Sequence, residues 1–270
     1  NKILTSWNAL MIKGYADAYK VFGEEKFLNS ALKCANYILQ NLSRSDGGLD
    51  HAEGDINGFL EDYSFTIEAF ISLYQVTFDS QWINKAKELA NYAIRHFHDS
   101  ESVMFYFTSD LDSALITRKM EIQDNVMPSS NSSMALSLFY LGRAFDDKKY
   151  LEMSEKMLLQ VQEGIPQYGS AYSNWAMLML CFLNPFYEIA IVGKDVDEKR
   201  KSFSQHYVPN AIFVGAASSP ALLPKEKGGT AVPLLKDKFV EGKTLIYVCE
   251  NKTCKLPTEN IEEAIQQIIV

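Results

Sequence analysis

The chain has no basic cluster. Its nearest approach, Asp197-Glu198-Lys199-Arg200-Lys201, is mixed in sign, and the 270 residues carry a net charge of −8. Such a chain has little with which to neutralise phosphates, which argues against nucleic acid and anionic membrane as partners. Long apolar runs are missing too. None reaches the roughly 18 residues a membrane span requires, and no signal-peptide pattern is visible. Cysteine is scarce. Cys34, Cys181, Cys249 and Cys254 are too few for a disulfide framework, so a reducing, cytoplasmic setting is expected. Cys249 and Cys254 stand too far apart for a Cys-x-x-Cys motif, and no second pair completes a zinc site. Two reduced thiols are the expectation there, with a labile disulfide as the alternative. Phosphate loop, nucleotide fingerprint and nucleophile elbow are all lacking, so no cofactor and no metal is expected.

What is present is a recurring helix hairpin. Three turns share an acid followed by an aromatic-aliphatic pair: Glu24 with Phe27-Leu28, Asp79 with Trp82-Ile83, and Asp147 with Tyr150-Leu151. An acid suits the exposed N–H groups and the dipole at a helix start. The helices after these turns are one-sided. Phe27, Leu28, Ala31, Leu32, Ala35, Ile38 and Leu39 follow the spacing of a surface helix with one buried face, as do Trp82, Ile83, Ala86, Leu89, Ala90 and Ala93. The helices before the turns, at about 6–22, 60–78 and 131–145, are apolar nearly all round, which predicts cover on every side. A wholly buried helix thus alternates with a half-buried one. Two concentric layers explain this better than a tetratricopeptide-type solenoid, whose period of about 34 residues is too short.

A further apolar helix spans about 170–183. Then Pro185 breaks the pattern. The stretches 187–193, 211–215 and 244–249 read as buried strands with parallel pairing. Residues 194–205 and 258–269 read as helices. The fold class expected is therefore mainly α, with helical hairpins of an (α/α) toroid over 1–184 and a small α/β subdomain over 185–270. Loops at 43–58 and 99–128 enter the second and third inner helices, where a pocket mouth would lie. The second includes 104–108, read as a short strand.

The stretch Lys2-Ile3-Leu4-Thr5-Ser6-Trp7-Asn8-Ala9-Leu10-Met11 resembles a signature of the YyaL-like family, which includes the spermatogenesis-associated thioredoxin-domain-containing proteins. Gly58-Phe59-Leu60-Glu61-Asp62-Tyr63-Ser64 resembles its second marker, and 124–132 its third. The segments Tyr187 to Gly193 and Tyr247-Val248-Cys249 through Cys254-Lys255-Leu256-Pro257 are similar to its C-terminal end. Ala9, Asn125 and Ser130 depart from the pattern, standing where glycine is usual. The resemblance implies an (α/α)6 toroid of the six-hairpin glycosidase type. It also implies that this chain is the C-terminal part of a longer protein, with upstream hairpins and a thioredoxin-like domain as its partners.

Several polar residues fall at the expected mouth. Asp62 and Asp124 are the candidate catalytic carboxylates, as acid, base or sugar-hydroxyl acceptor. Trp7, Asn8, Glu61, Tyr63, Asn131, His51 and Arg118 are candidate sugar contacts: aromatic rings to stack, amides and charges to hydrogen-bond, and an imidazole to carry a proton. Each has a plainer reading. An acid at a helix start is often only a cap, Trp7 could be core, and Arg118 could form an exposed ion pair of little consequence. Two functions follow. One is a carbohydrate-active or carbohydrate-binding domain, hydrolytic or epimerase/isomerase in type. The other is a non-catalytic scaffold attached to a thioredoxin-like redox domain.

Overall fold

The computed structural model describes residues 2–54, 56–113, 116–218 and 232–268. Its first part is a run of helix pairs: α1 (Thr5–Phe22) with α2 (Glu25–Asn41), α3 (Leu60–Thr77) with α4 (Ser80–Phe97), and α5 (Ser130–Phe145) with α6 (Lys148–Val161). A single turn, α7 (Gly164–Gln167), leads to α8 (Ser173–Leu183). α3 packs against both α1 and α5, and α5 against α8, while α2, α4 and α6 each pack against the helix before them. The result is a double-layered arc. Its inner row is α1–α3–α5–α8 and its outer row is α2, α4 and α6.

The turns follow from the sequence pattern. The carboxylates of Asp79 and Asp147 each accept a hydrogen bond of 3.0 Å, from the amides of Gln81 and Lys149. Glu24 occupies the matching position and makes no such cap. α1, α3 and α5 end in left-handed residues: Gly23 (φ 68°), Phe78 (φ 53°) and Asp146 (φ 56°). An aromatic residue is strained there. The Phe78 ring lies where Gly215 has no side chain; a Cβ on Gly215 would come within 2.2 Å of it. That close approach fixes the end of α3 on the sheet.

α3 and α5 are buried on nearly every face, as the all-round apolar pattern predicts. α1 differs. Ala9, Ile12 and Ala16 are buried, but Trp7, Met11, Val21 and Phe22 are exposed. α1 packs on α2 and α3, and no described helix covers its remaining side. At the other end of the row, Met177, Leu180 and Leu183 of α8 are likewise exposed.

Two short strands, β1 (Asp50–Ala52) and β2 (Ile56–Asn57), form a hairpin in the loop before α3. The segment 104–108 forms no strand. It makes a single bridge, from Phe105 to His98. The C-terminal sheet has the order β4-β3-β5-β6, from β3 (Tyr187–Val192), β4 (Ala211–Ala216), β5 (Leu245–Glu250) and β6 (Thr253–Cys254). Among the described residues only β3 and β4 pair in parallel, joined through α9 (Val196–Phe203). β5 runs antiparallel to β3, which corrects the expectation of parallel pairing. A buried strand reads the same in either direction, because burial and not polarity sets its composition. α10 covers Ile261–Gln266, inside the predicted 258–269; Ile269 lies outside the described residues.

The sheet is buried on both faces. Tyr187, Ile189 and Ile191 point to α9 and α10, where Val196, Phe203 and Ala264 form a separate small core. Ala190 and Val192 point the other way and join the helical core. This period-two division locks the sheet onto the inner helices. Cys249 and Cys254 face each other across β5 and β6 and form a disulfide, against the expectation of two reduced thiols.

Candidate active site

The inner helices α1, α3 and α5 start at one end of the arc. The Ser6 amide at the start of α1 donates to Asp62 Oδ1 at the start of α3 (2.9 Å), and Ser6 Oγ donates to Glu61 Oε1 (3.1 Å). The loop entering α5 closes the same end, with the Leu60 amide donating to the Phe107 carbonyl (2.9 Å). An open cleft of about 660 Å³ lies here, lined by Glu61, the 119–129 loop and Tyr172. The partial positive charge at each helix start faces this end.

Asp62 is fully buried. Its Oδ2 accepts from the Phe59 amide (2.8 Å) and bonds His51 Nδ1 (2.9 Å). Asp62 therefore bridges α1, α3 and the β1 hairpin, and orients the imidazole. The hydrogen bond to Asp62 holds the half-buried His51 above its ordinary range, against the opposing effect of burial. Glu61, one residue earlier, also bonds Ser6 and lines the cleft. Burial raises its carboxyl above the usual range, and the negative charges of Asp62 and Glu121 add to this; the Ser6 hydroxyl opposes it. A carboxyl raised by burial at the edge of a cleft is a candidate acid/base group.

The donor atoms of His51, Glu61 and Asp62 lie within 4.8 Å of one another, a spacing that admits a cation. Both Asp62 oxygens already accept backbone N–H groups. Direct ligation by Asp62 would compete with those bonds. The arrangement suits proton transfer better, with an oriented imidazole beside a raised carboxyl.

Aromatic surface lies alongside. The Phe59 ring is 4.8 Å from His51 and stacks on Phe107 at 4.9 Å. Both phenylalanines are half-exposed. Phe59 is the residue just before α3, so the helix start that places Asp62 also places this ring.

The remaining candidates lie elsewhere or are already engaged. Asp124 borders the cleft, but its Oδ1 accepts from the Ser129 amide (2.9 Å) and Ser132 Oγ (2.7 Å), and its Oδ2 from the Asn174 amide (2.9 Å). It joins the start of α5 to the start of α8. Asn131 is fully buried and bonds the amide and carbonyl of Phe105 and the carbonyl of Glu121. Tyr63 is buried, stacked on Tyr92, and accepts from the Leu49 amide. Asn8 turns toward α2, where its Oδ1 meets Cys34 Sγ at 3.2 Å. Trp7 is 59% exposed on α1 and does not line the cleft. Arg118 stacks on Tyr106 and bonds the carbonyls of Thr108 and His96. Of the nine candidates, Glu61, Asp62 and His51 form one cluster. Tyr172, Phe59 and Phe107 join the site without having been singled out for it.

The helical part is a toroid-like double layer of the kind found in six-hairpin glycosidase-like enzymes. A family 76 glycoside hydrolase α-mannanase of Bacteroides thetaiotaomicron superposes with a TM-score of 0.56 at 14% identity, covering 81% of this chain and 64% of that one. The cellobiose 2-epimerase of Bacillus thermoamylovorans gives a TM-score of 0.51 at 13% identity, covering 61% and 45%. At such identities the likeness is one of fold. No family model matches the chain. In sequence it is similar to human spermatogenesis-associated protein 20, with 25% identity over 95% of this chain and 35% of that protein. The chain thus spans about a third of the length of the relatives it matches.

Proposed function

We propose that this end of the arc binds a carbohydrate and moves a proton on it, with Glu61 as the acid/base group and His51 as its partner. Asp62 orients His51 and does not itself meet the substrate. The observation that carries this reading is Glu61: a carboxyl raised by burial, facing an open cleft, beside an imidazole fixed by a buried carboxylate. Phe59, Phe107 and Tyr172 supply apolar faces of the sort on which sugar rings rest. Epimerisation, isomerisation and hydrolysis all use such proton transfer, and the fold hosts both epimerases and hydrolases. Burial raises the Asp62 carboxyl as well, but its oxygens are taken up by two backbone amides and His51, and a single free carboxyl beside a histidine favours proton transfer at carbon over a paired-carboxylate hydrolysis. The test is a thermal-shift screen of the full chain against mono- and oligosaccharides, since a ligand of the folded state raises the melting temperature. A sugar that does so and is then turned over supports the reading. No shift with any sugar counts against it.

A second reading, a partner-binding scaffold, draws on a different surface. The exposed Trp7, Met11, Val21 and Phe22 on α1 form an apolar face of the kind that meets another protein surface. On this reading the remaining part of the longer protein, with its thioredoxin-like domain, supplies the activity.

A further inference from the structure

The Cys249–Cys254 disulfide lies on the far side of the molecule's sequence from the cleft residues and takes no part in the proposed sugar chemistry. It closes the hairpin of β5 and β6 at the edge of the sheet. The two sulfurs differ in surroundings. Cys249 is buried on β5, 2% exposed, whereas Cys254 is half-exposed on the edge strand. The ammonium of Lys238 sits 3.3 Å from Cys254 Sγ. Among the described residues no carboxylate forms an ion pair with Lys238. Burial lowers its pKa, and the more distant charges of Glu188 and Asp237 offset this only in part. A cation so placed would gain a counter-ion if Cys254 became a thiolate.

The hairpin is held at its turn as well. Asn251 and Lys252 both have positive φ (48° and 69°), as a two-residue turn between twisted strands requires. The Lys252 amide donates to Glu188 Oε2 (3.0 Å), and Arg143 donates to Asn251 Oδ1 (2.9 Å). The turn thus stays tied to β3 and α5 whether or not the sulfurs are joined, which keeps the two cysteines opposite each other for reclosure. The other cysteines lack these features. Burial pushes the Cys34 thiol up and the Cys181 thiol up to about 11.

We infer that Cys249 and Cys254 form a reversible dithiol–disulfide site, with Cys254 as the sulfur that exchanges with an external dithiol and Cys249 as the buried sulfur that recloses the bond. In the reducing direction a thiolate of the dithiol bonds to Cys254 Sγ, the Sγ–Sγ bond breaks, and Cys249 leaves with the electron pair and takes up a proton. The second thiolate of the reductant then forms the reductant's own disulfide and expels Cys254 as a thiolate beside Lys238. The protein disulfide gains two electrons and one proton, on Cys249, with Cys254 left as the thiolate; the dithiol loses two electrons and two protons, the second proton passing to solvent. In reverse, the Cys254 thiolate attacks an external disulfide and Cys249 displaces the mixed product. An exposed thiolate beside a cation and a buried partner are the conditions that favour this exchange.

The test is alkylation with iodoacetamide of the full chain, poised in dithiothreitol buffers of graded potential and read peptide by peptide by mass spectrometry. Cys249 and Cys254 should pass from protected to alkylated together, at one midpoint. With limiting reagent on the reduced protein, Cys254 should react first. Lys238→Met should slow that reaction at neutral pH by about five- to tenfold, the effect of raising a thiol pKa by up to a unit. Lys238→Arg, which keeps the charge, should restore most of the rate and so separates charge from loss of fold. The inference is overturned if both cysteines are alkylated without reductant, if Cys249 reacts first, or if Lys238→Arg is as slow as Lys238→Met.

Discussion

Two helix starts in this molecule look alike in sequence and differ in what their acids do. Asp62 opens α3 and Asp124 precedes α5. Each is buried, and each accepts backbone N–H groups from two different elements. The difference lies in the last partner. Asp124 adds a serine hydroxyl, so its oxygens hold two helix starts together. Asp62 adds a histidine, and its neighbour Glu61 turns into the cleft. An acid at a helix start is therefore a structural tie or, on the function proposed above, part of a proton-transfer site according to what its remaining oxygen meets, and the residue type alone does not tell which.

Substitutions can break this comparison in graded steps. Asp124→Ala should have the largest effect on stability. It leaves the Ser129 and Asn174 amides and the Ser132 hydroxyl without their acceptor, and a buried donor so orphaned costs about 1–3 kcal/mol. A loss of roughly 3–5 kcal/mol in denaturant unfolding is expected, taking the three as partly relieved by rearrangement.

Asp62→Asn should cost less, about 1–3 kcal/mol, because an amide oxygen still accepts one or both backbone donors. Its distinctive effect is on pH dependence. His51 has a raised pKa in the folded state, so its contribution to stability is complete below the unfolded value of about 6.5 and is lost as pH rises through the folded value. Asp62→Asn should flatten that part of the stability curve and lower the His51 midpoint in an NMR titration. An unchanged midpoint would mean the His51–Asp62 bond does not set the imidazole's protonation.

Glu61→Gln should leave unfolding within about 1 kcal/mol of wild type, because among the described residues only the Ser6 hydroxyl bonds its side chain. Turnover of a responsive sugar should fall by roughly 10²–10⁴ if Glu61 transfers the proton. In wild type, a step that needs protonated Glu61 should persist above the usual glutamate range near 4.3 and decline as pH rises through the raised value. Trp7→Ala is the smallest expected change, within about 0.5 kcal/mol, with sugar response intact, because the indole is exposed and away from the cleft.

Much of the fold was legible in the sequence. The alternation of all-round and one-sided apolar helices reports burial directly, and α2, α3, α4 and α5 follow it. α1 did not, because an apolar composition says a face wants cover without saying that a neighbour supplies it. The mouth was legible as well, since the loops entering α3 and α5 had to meet there. Individual roles were not. His51 and Asp62 meet only through the path of the β1 hairpin, which no periodicity encodes. Tyr63 and Asn131 sit beside the mouth in sequence, yet one turn of helix aims each into the core. Phe59 lies in the 58–64 marker segment, where the sequence alone assigns it no role. Its place immediately before a helix start was the signal that would have put it beside His51 at this end of the arc.

The most direct test of the central contrast is calorimetric binding of a sugar that shifts the wild-type melting temperature, measured on Glu61→Gln and Asp124→Asn at a temperature where both are folded. The account predicts that Asp124→Asn, though less stable, binds like wild type, whereas Glu61→Gln melts like wild type and loses affinity. Normal affinity in Glu61→Gln with binding abolished in folded Asp124→Asn would contradict it.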